Sequence, residues 1–461
     1  MSYYILPKNK NLIIFNPTTQ NRALNPCISH SLHHYSCKIQ GQINNINNID
    51  NEHKKQLMKI VNPYEYIFSK VPNTKLSVSK LKPESNIFFD LLEIMNTLSL
   101  LNNLNKNYIY SVHYSLNNSS SIDCINMLRE FNNDIHIPET IQSIYNNYNL
   151  NYYNLLNLNI NKNYVDFLFY ELEDYQYMDI KIYIRIIIDI FEKQNDGGIT
   201  IIKLGDYYYK PIVDFIFTLC NTYDKVYLMK PYSSNVLSSE KYIICKGFSL
   251  NISRKINLQP LYFLLNYMDE HNNYNTSYLN ISNLTISNLI QNEIQYYFIN
   301  KLEEFNIIVG QQKIDAMDQI IKIFKNKNKE EKIEMIKKLN IQKCIYWCEK
   351  YKIPYNKLND KTNIFLPYSL ISEVYIPNET EILGINRMNM SNSSIMNIDI
   401  NMEEIKNNFY DPEYTDSELF LLDDINEMNK INKINKINNN TNNINSDSND
   451  IDENENLIYL H

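Results

Sequence analysis

Glycine is nearly missing from this chain: there are seven in 461 residues, and none between Gly41 and Gly197. A usual share is ~7%. Without glycine, a segment has no residue that readily takes left-handed dihedrals or lets a ligand lie against bare backbone. Tight turns there fall to Asn, which tolerates such dihedrals but whose side chain fills space. Basic excess is also lacking. Lys and Arg number 44 against 52 Asp and Glu, for a formal charge of −8. That excludes a generally basic nucleic-acid binder and confines any RNA contact to a local patch. Nor does any feature of the sequence point to DNA specificity. No apolar run approaches the ~18 residues needed to span a bilayer, so no membrane partner is expected. Seven cysteines without paired spacing, and no signal peptide, point to a reducing compartment and a cytoplasmic protein. What is plentiful is Asn, Ile, Lys and Tyr. All have AT-rich codons, the mark of an AT-biased genome.

The most legible stretch runs from Asp196 to Phe248. Gly197 and Gly198 supply a turn ahead of the apolar strand Ile199–Leu204, and a helix begins near Lys210-Pro211. The strand Val226–Met229 follows, then the polar loop Lys230-Pro231-Tyr232-Ser233-Ser234-Asn235-Val236-Leu237-Ser238-Ser239 and a further strand from Glu240. Strand, helix and strand of these lengths make a βαβ crossover. The last two strands should pair antiparallel, as an added edge on a parallel sheet.

This pattern resembles the C-terminal half of an FtsJ-like ribose methyltransferase domain, of the type found in large DNA viruses with AT-rich genomes. The family has a Gly pair, a strand carrying a Lys, a helix, a strand, and then Lys-Pro-x-x-Ser-Arg-x-x-Ser-x-Glu-x-Tyr. Lys203 falls on the strand Lys. Lys230, Pro231, Ser234, Ser238, Glu240 and Tyr242 fit the loop and its end, with Asn235 where the family has Arg.

Upstream, Ser85–Ile94 has helical spacing and Pro83 suits a first turn. In the family this helix carries the first Lys of a catalytic Lys-Asp-Lys-Glu set; here Asp90 stands at that position and Asn86 replaces the preceding Arg. Tyr108–Tyr114 reads as the first strand. It leads into Ser115-Leu116-Asn117-Asn118-Ser119, where the family has a Gly-rich turn against S-adenosylmethionine, and then into a helix from Ile122 to Phe131. Asp134–Ile137 reads as a second strand. Tyr164–Glu171 reads as another, and its terminal acid is either the family's catalytic acid or one member of a solvated Glu171/Glu173/Asp174 run. Met178–Glu192 reads as a core-packing helix.

Residues 1–60 read as a poorly ordered or loosely packed arm. It carries the cluster Cys27/His30/His33/His34/Cys37, whose irregular spacing matches no common zinc module, so no metal is expected. Beyond Phe248, helices are expected over Ile256–Asp269, Leu284–Phe305, Gln311–Phe324, Lys329–Leu339 and Ile341–Tyr351. Lys322 to Lys338 is rich in lysine and reads as a solvated helical surface, with an RNA-phosphate patch the alternative. Cys344 and Cys348 sit one helical turn apart, as core residues do, in a segment similar to the end of the viral FtsJ-like proteins. After about Ser391 the chain is low in apolar periodicity and expected to be disordered.

The expected division is therefore an arm at 1–78, a methyltransferase-like domain at 79–250, a helical region at 251–390 and a low-complexity tail at 391–461. The resemblance implies an α/β, Rossmann-like S-adenosylmethionine-dependent methyltransferase fold with a C-terminal helical extension. Its implied substrate is an RNA ribose or cap 2′-hydroxyl. Its implied site residues are Lys203, Glu240 and Glu171 for catalysis and Ser115, Asn117 and Asn118 for the cofactor. Capping or transcription proteins are the implied partners, in a host cytoplasm or virion if the chain is viral.

In that chemistry a lysine orients and helps deprotonate a weakly acidic hydroxyl, which requires it to shed its own proton. Here the matched positions hold one cation, Lys203, among Asp90, Glu171 and Glu240. Three readings stay open: a diverged active enzyme in which Lys80 or Lys82 covers for the lost Lys, an inactive RNA-binding or scaffold subunit of a capping assembly, and a methyltransferase for another acceptor.

Overall fold

The computed structural model describes residues 3–20, 22–44, 51–104, 108–115, 119–129, 133–141, 165–174, 176–177, 179–270, 285–325 and 329–356. Its centre is a seven-stranded sheet. In chain order the strands are β1 (Tyr4–Leu6), β3 (Tyr110–Tyr114), β4 (Ile135–Glu139), β5 (Val165–Glu171), β6 (Gln194–Leu204), β7 (Tyr223–Met229) and β8 (Lys241–Phe248). In space the order is β1-β7-β8-β6-β5-β3-β4. Strands β4, β3, β5 and β6 pair in parallel. Strand β8 runs antiparallel to both β6 and β7, so β7 shares the direction of the parallel set. The pairing of β7 with β8 is the one expected from the Ser-rich loop between them. This mixed α/β arrangement, mostly parallel with β8 reversed between β6 and β7 and β1 reversed at the edge, is compatible with a Rossmann-like methyltransferase fold.

Parallel strands covered on both faces must be apolar on both faces, and β5 is buried at every position. Two cores result. On one face Ile202, Leu204, Leu168 and Tyr170 pack under α5 (Ile180–Lys193) and α6 (Lys210–Thr222). On the other, Ile199, Ile201, Phe167 and Phe169 pack under α3 (Ile87–Thr97) and α4 (Ser120–Arg129), with Cys344, Trp347 and Cys348 of α10 (Lys329–Lys350) added. The two cysteines are core residues, as their spacing suggests. Helix α5 is dominated by Ile, and most of it is buried. Pro211 near the start of α6 costs no hydrogen bond, since the first-turn N–H groups have no partner within the helix.

The first 60 residues are not a loose arm. Strand β1 pairs with β7 and so closes the edge that β7 would otherwise present. Strand β2 (Phe15–Gln20) pairs with β9 (Thr285–Ile290) in a separate two-stranded sheet. Helices α1 (His30–Asn44) and α2 (Asn51–Val61) pack through Ile39, Ile43, Leu57, Ile60 and Val61 against α9 (Tyr296–Lys325). The Asn-rich sequence concealed a sparse but regular apolar stripe: Leu32, Ile39 and Ile43 carry α1.

The expected helix Leu284–Phe305 is also corrected. Thr285–Ile290 form β9, because β-favouring Thr and Ile residues there pair with β2, and the helix starts at Tyr296. It then runs unbroken through Gln311–Phe324, and the two expected helices after Lys329 are likewise one. Helices α7 (Leu250–Ser253) and α8 (Gln259–Glu270), with two short 3-10 turns at Glu65–Ile67 and Leu100–Leu104, complete the described elements. No described helix is long and apolar enough to cross a membrane.

Candidate functional site

Register brings the sequence-selected residues together. Glu171 ends β5 and lies opposite Lys203 on β6. Lys203 in turn lies opposite Tyr242 on β8, placing Glu240 just beyond that strand's start. The Lys203 ammonium is 2.9 Å from the Glu240 carboxylate and 3.6 Å from that of Glu171. Burial works against the Lys203 charge, but Glu240 and Glu171 outweigh it and hold the ammonium above its ordinary pKa. Burial raises the carboxyl of Glu171 despite Lys203. For Glu240 the balance reverses: Lys203 outweighs burial and lowers it. One oxygen of Glu171, Oε2, is buried with no hydrogen-bond partner among the described residues.

Asp90 has a different task. It is 2% exposed, and it accepts from the Ser233 hydroxyl (2.5 Å), the Tyr242 hydroxyl (2.8 Å) and the Asn86 amide (3.3 Å). Burial pushes its carboxyl up to about 7, against the pull of the Ser233 and Tyr242 bonds. One turn on, Glu93 accepts the Tyr232 N–H (2.9 Å), the Ser233 N–H (3.2 Å) and the Trp347 indole N–H (2.8 Å). Two acids of α3 thus hold the Pro231–Ser234 turn onto the helix. Trp347 is spent on the same anchor.

Lys230, 3% exposed, closes the other end of that loop, donating to the carbonyls of Glu240 (2.8 Å) and Ser238 (3.1 Å). Burial lowers it to about 7. Lys80 and Lys82 are exposed, and no described contact joins either to Lys203, Glu171 or Glu240.

At the other strand ends, Ser115 is buried, and its N–H donates to the Glu139 carbonyl (3.0 Å). Asn117 and Asn118 lie outside the described residues. At the start of α4, the Ser119 N–H donates to the Glu84 carboxylate (3.1 Å). The Ser119 hydroxyl donates to Asp123 (2.7 Å).

A helix start of this kind, with free N–H groups and a positive dipole end, is where an anionic ligand group would be received. Here a carboxylate of the chain itself is bonded there. For the amino-acid carboxylate of S-adenosylmethionine, the described cradle does not fit.

Sequence reasoning missed a second group on the opposite face of the same strand ends. Asp206, just past β6, pairs with Lys241 at the start of β8 and accepts from Ser239 (2.9 Å). Lys313 of α9 donates to the same Ser239 (2.9 Å). Lys241 directly follows the selected Glu240, and strand alternation puts it on the other face. That was the one available signal; nothing near Lys313 in the sequence pointed here. The Cys/His cluster lies alongside. His30, His33, His34 and Cys37 are on α1, and the His33 ring packs edge-on to Tyr208 at 4.9 Å. The Cys27 N–H donates to the Tyr208 carbonyl (2.7 Å). Of the described lysines in that stretch, Lys322, Lys325 and Lys338 are exposed and Lys332 and Lys337 half-buried, with short-range pairs such as Lys322–Asp318 at 3.1 Å.

No family model matches the chain, and neither does any curated protein. Among solved structures it is similar to a crystal structure described as a ribosomal RNA methyltransferase from Plasmodium falciparum. The identity is 19% and the TM-score 0.26, over 36% of this chain and 97% of that one.

Proposed function

We propose that the chain is an RNA-binding member of the ribose 2′-O-methyltransferase type that does not carry out transfer, serving beside an active capping or modifying enzyme. The observation that carries this is the state of Lys203. It is held by two carboxylates that keep it protonated, whereas deprotonating a ribose hydroxyl needs its free base. The carboxylate of Glu84 on the Ser119 N–H, just before α4, acts in the same sense, since it stands where an anionic cofactor group would be received.

The test is calorimetric titration of the full chain with S-adenosylmethionine and S-adenosylhomocysteine, followed by transfer of a labelled methyl group to capped RNA. We expect neither saturable cofactor binding nor labelled RNA. Robust transfer that is lost in Lys203→Ala overturns the proposal.

A second reading is favoured by the orphaned Oε2 of Glu171. With burial raising that carboxyl, Glu171 is the better proton acceptor of the group, and the Lys203 ammonium would steady the oxyanion as it forms. On this reading transfer is measurable, survives Lys203→Arg in part, and is lost in Glu171→Gln.

A further inference from the structure

The face of the sheet that packs under α3 and α4 is open at its β1 edge. Tyr227 of β7 and Ile244 of β8 belong to that face together with Ile199 and Ile201 of β6. Strand alternation puts Lys225 and Lys246 on the same face, and with them Ile5 of β1, which lies opposite Tyr227. Ile5 is 51% exposed, and Tyr3, just before β1, is 40% exposed. Lys225 is exposed and Lys246 half-buried. The Tyr3 ring stands edge-on to that of Tyr227, with centroids 5.5 Å apart.

The two lysines are cross-strand partners. Lys225 lies directly opposite Lys246, and like charges so placed repel and destabilise the pairing. Neither ammonium has an ion pair or hydrogen bond with a described residue. The adjacent acid does not answer them: alternation turns Asp224 to the other face, where it pairs with Lys8 at 2.7 Å. Lysines on the long helices differ in this respect. Lys322 has Asp318 at 3.1 Å and Lys337 has Glu334 at 2.6 Å, each within its own helix. On a chain with a formal charge of −8, two uncompensated cations side by side make a local site for anions, and a bound anion would relieve their repulsion.

We infer that this open face holds a single strand of RNA, with phosphates on Lys225 and Lys246 and a base against Tyr3. Single strands are held where bases can stack on aromatic rings and cations take the backbone. A flat face admits such a strand without any cavity. A second copy of this chain suits the face less well, because an isologous contact centred here would set the two lysines against their own counterparts. Position agrees with the strand. Lys225 and Lys246, then Ile5 and Tyr227, then Tyr3 climb the sheet towards the end where Lys203 lies. Lys246 is opposite Ile199, four residues from Lys203 and so about 13 Å along β6. This location rests on the RNA reading above.

The test uses the full chain and a labelled ten-nucleotide oligoribonucleotide, with binding followed by fluorescence anisotropy over a range of salt concentrations. We expect Lys225→Gln and Lys246→Gln each to weaken binding about fivefold and to flatten the salt dependence by ~0.7 in log–log slope, the value for one phosphate contact on a single strand. Tyr3→Ala should weaken binding by about fivefold or more, from the loss of one stacked base, and leave the slope unchanged. Tyr3→Phe should bind as the unaltered chain does. Lys338→Gln, at an exposed lysine on α10, should change neither affinity nor slope. Thermal melts confirm folding, and the Lys225 and Lys246 variants, which remove a repulsion, should melt no lower than the unaltered chain.

If the unaltered chain binds RNA and Lys225→Gln, Lys246→Gln and Tyr3→Ala bind it equally well, the face is not the site, although the RNA reading stands. If the unaltered chain ignores the oligoribonucleotide but self-associates in sedimentation, and Ile5→Asp abolishes this, the face is a contact between copies and both readings fail. Neither RNA binding nor self-association also overturns both.

Discussion

Replacing Asp90 with Asn should make the protein more stable above neutrality and change how its stability depends on pH. Asp90 is 2% exposed, and burial lifts its carboxyl from 3.8 to about 7. A rise of that size corresponds to about 4 kcal/mol by which the ionised form is disfavoured on folding. Between these two values the native state holds a proton that the unfolded chain has released. The contribution of Asp90 is therefore fully present below pH 3.8 and lost as pH rises through about 7. Asn carries no charge to bury. Its carbonyl can still accept from one of the Ser233 and Tyr242 hydroxyls, while its amide faces the other, which can turn to accept. Losing the charge-assisted character of those bonds returns about 1–3 kcal/mol, which leaves a net gain of about 1–3 kcal/mol at pH 8. The assay is urea unfolding of both proteins at pH steps from 4 to 8, compared as the difference between them. The difference should climb towards pH 8 and vanish or reverse near pH 4. A difference that stays flat across the range would show that Asp90 does not change protonation on folding, and the argument would fail.

His113 works in the opposite direction. It is fully buried between Ser111 (3.0 Å) and Ser121 (2.9 Å), and burial lowers it from 6.5 to about 3. Its contribution is present above pH 6.5 and drains away as pH falls towards 3, so His113→Asn should lessen acid destabilisation in circular-dichroism melts taken between pH 4 and 6.5. Gly205→Ala should cost about 1–3 kcal/mol by overpacking, because a Cβ there would run into the Tyr177 ring. Chemical denaturation reads this directly, and an unchanged midpoint would mean that Tyr177 moves aside freely.

Legibility in the sequence followed burial. Strands β5 to β8 could be read because largely apolar runs such as Val165–Tyr170 and Ile199–Leu204 are bounded by Gly, Pro or polar loops. Once those strands were placed, the meeting of Lys203, Glu171 and Glu240 followed from register alone. Helices α1 and α2 could not be read, because their core residues are three or four among many Asn, Gln and Lys, and such a thin stripe gains its meaning only from α9 lying far along the chain. Strand β9 was lost for a related reason: six residues of mixed character support strand or helix until β2 is there to pair with them. Lys313 needed the tertiary structure, because its importance comes entirely from Asp206, Ser239 and Lys241 on distant loops.

The reversed charge at position 90 is built into the loop it faces. The Asp90 carboxylate ends among Ser233, Tyr242 and Asn86, and Glu93 takes the two N–H groups of the same turn. A lysine at 90 would be too long for that niche. It would also put an ammonium where an acceptor now anchors the turn, leaving the half-buried Asn86 amide and the Ser233 and Tyr242 hydroxyls to re-pair. A lysine at this position, as in the family that the sequence resembles, would therefore loosen the loop that positions Glu240. With that loop held by acids, Lys203 is paired with the carboxylates of Glu240 and Glu171, and a lysine so placed stays charged. Loop anchoring and the protonation of Lys203 are thus two consequences of the same substitution, and Asp90→Asn separates them by keeping hydrogen bonds while removing the charge.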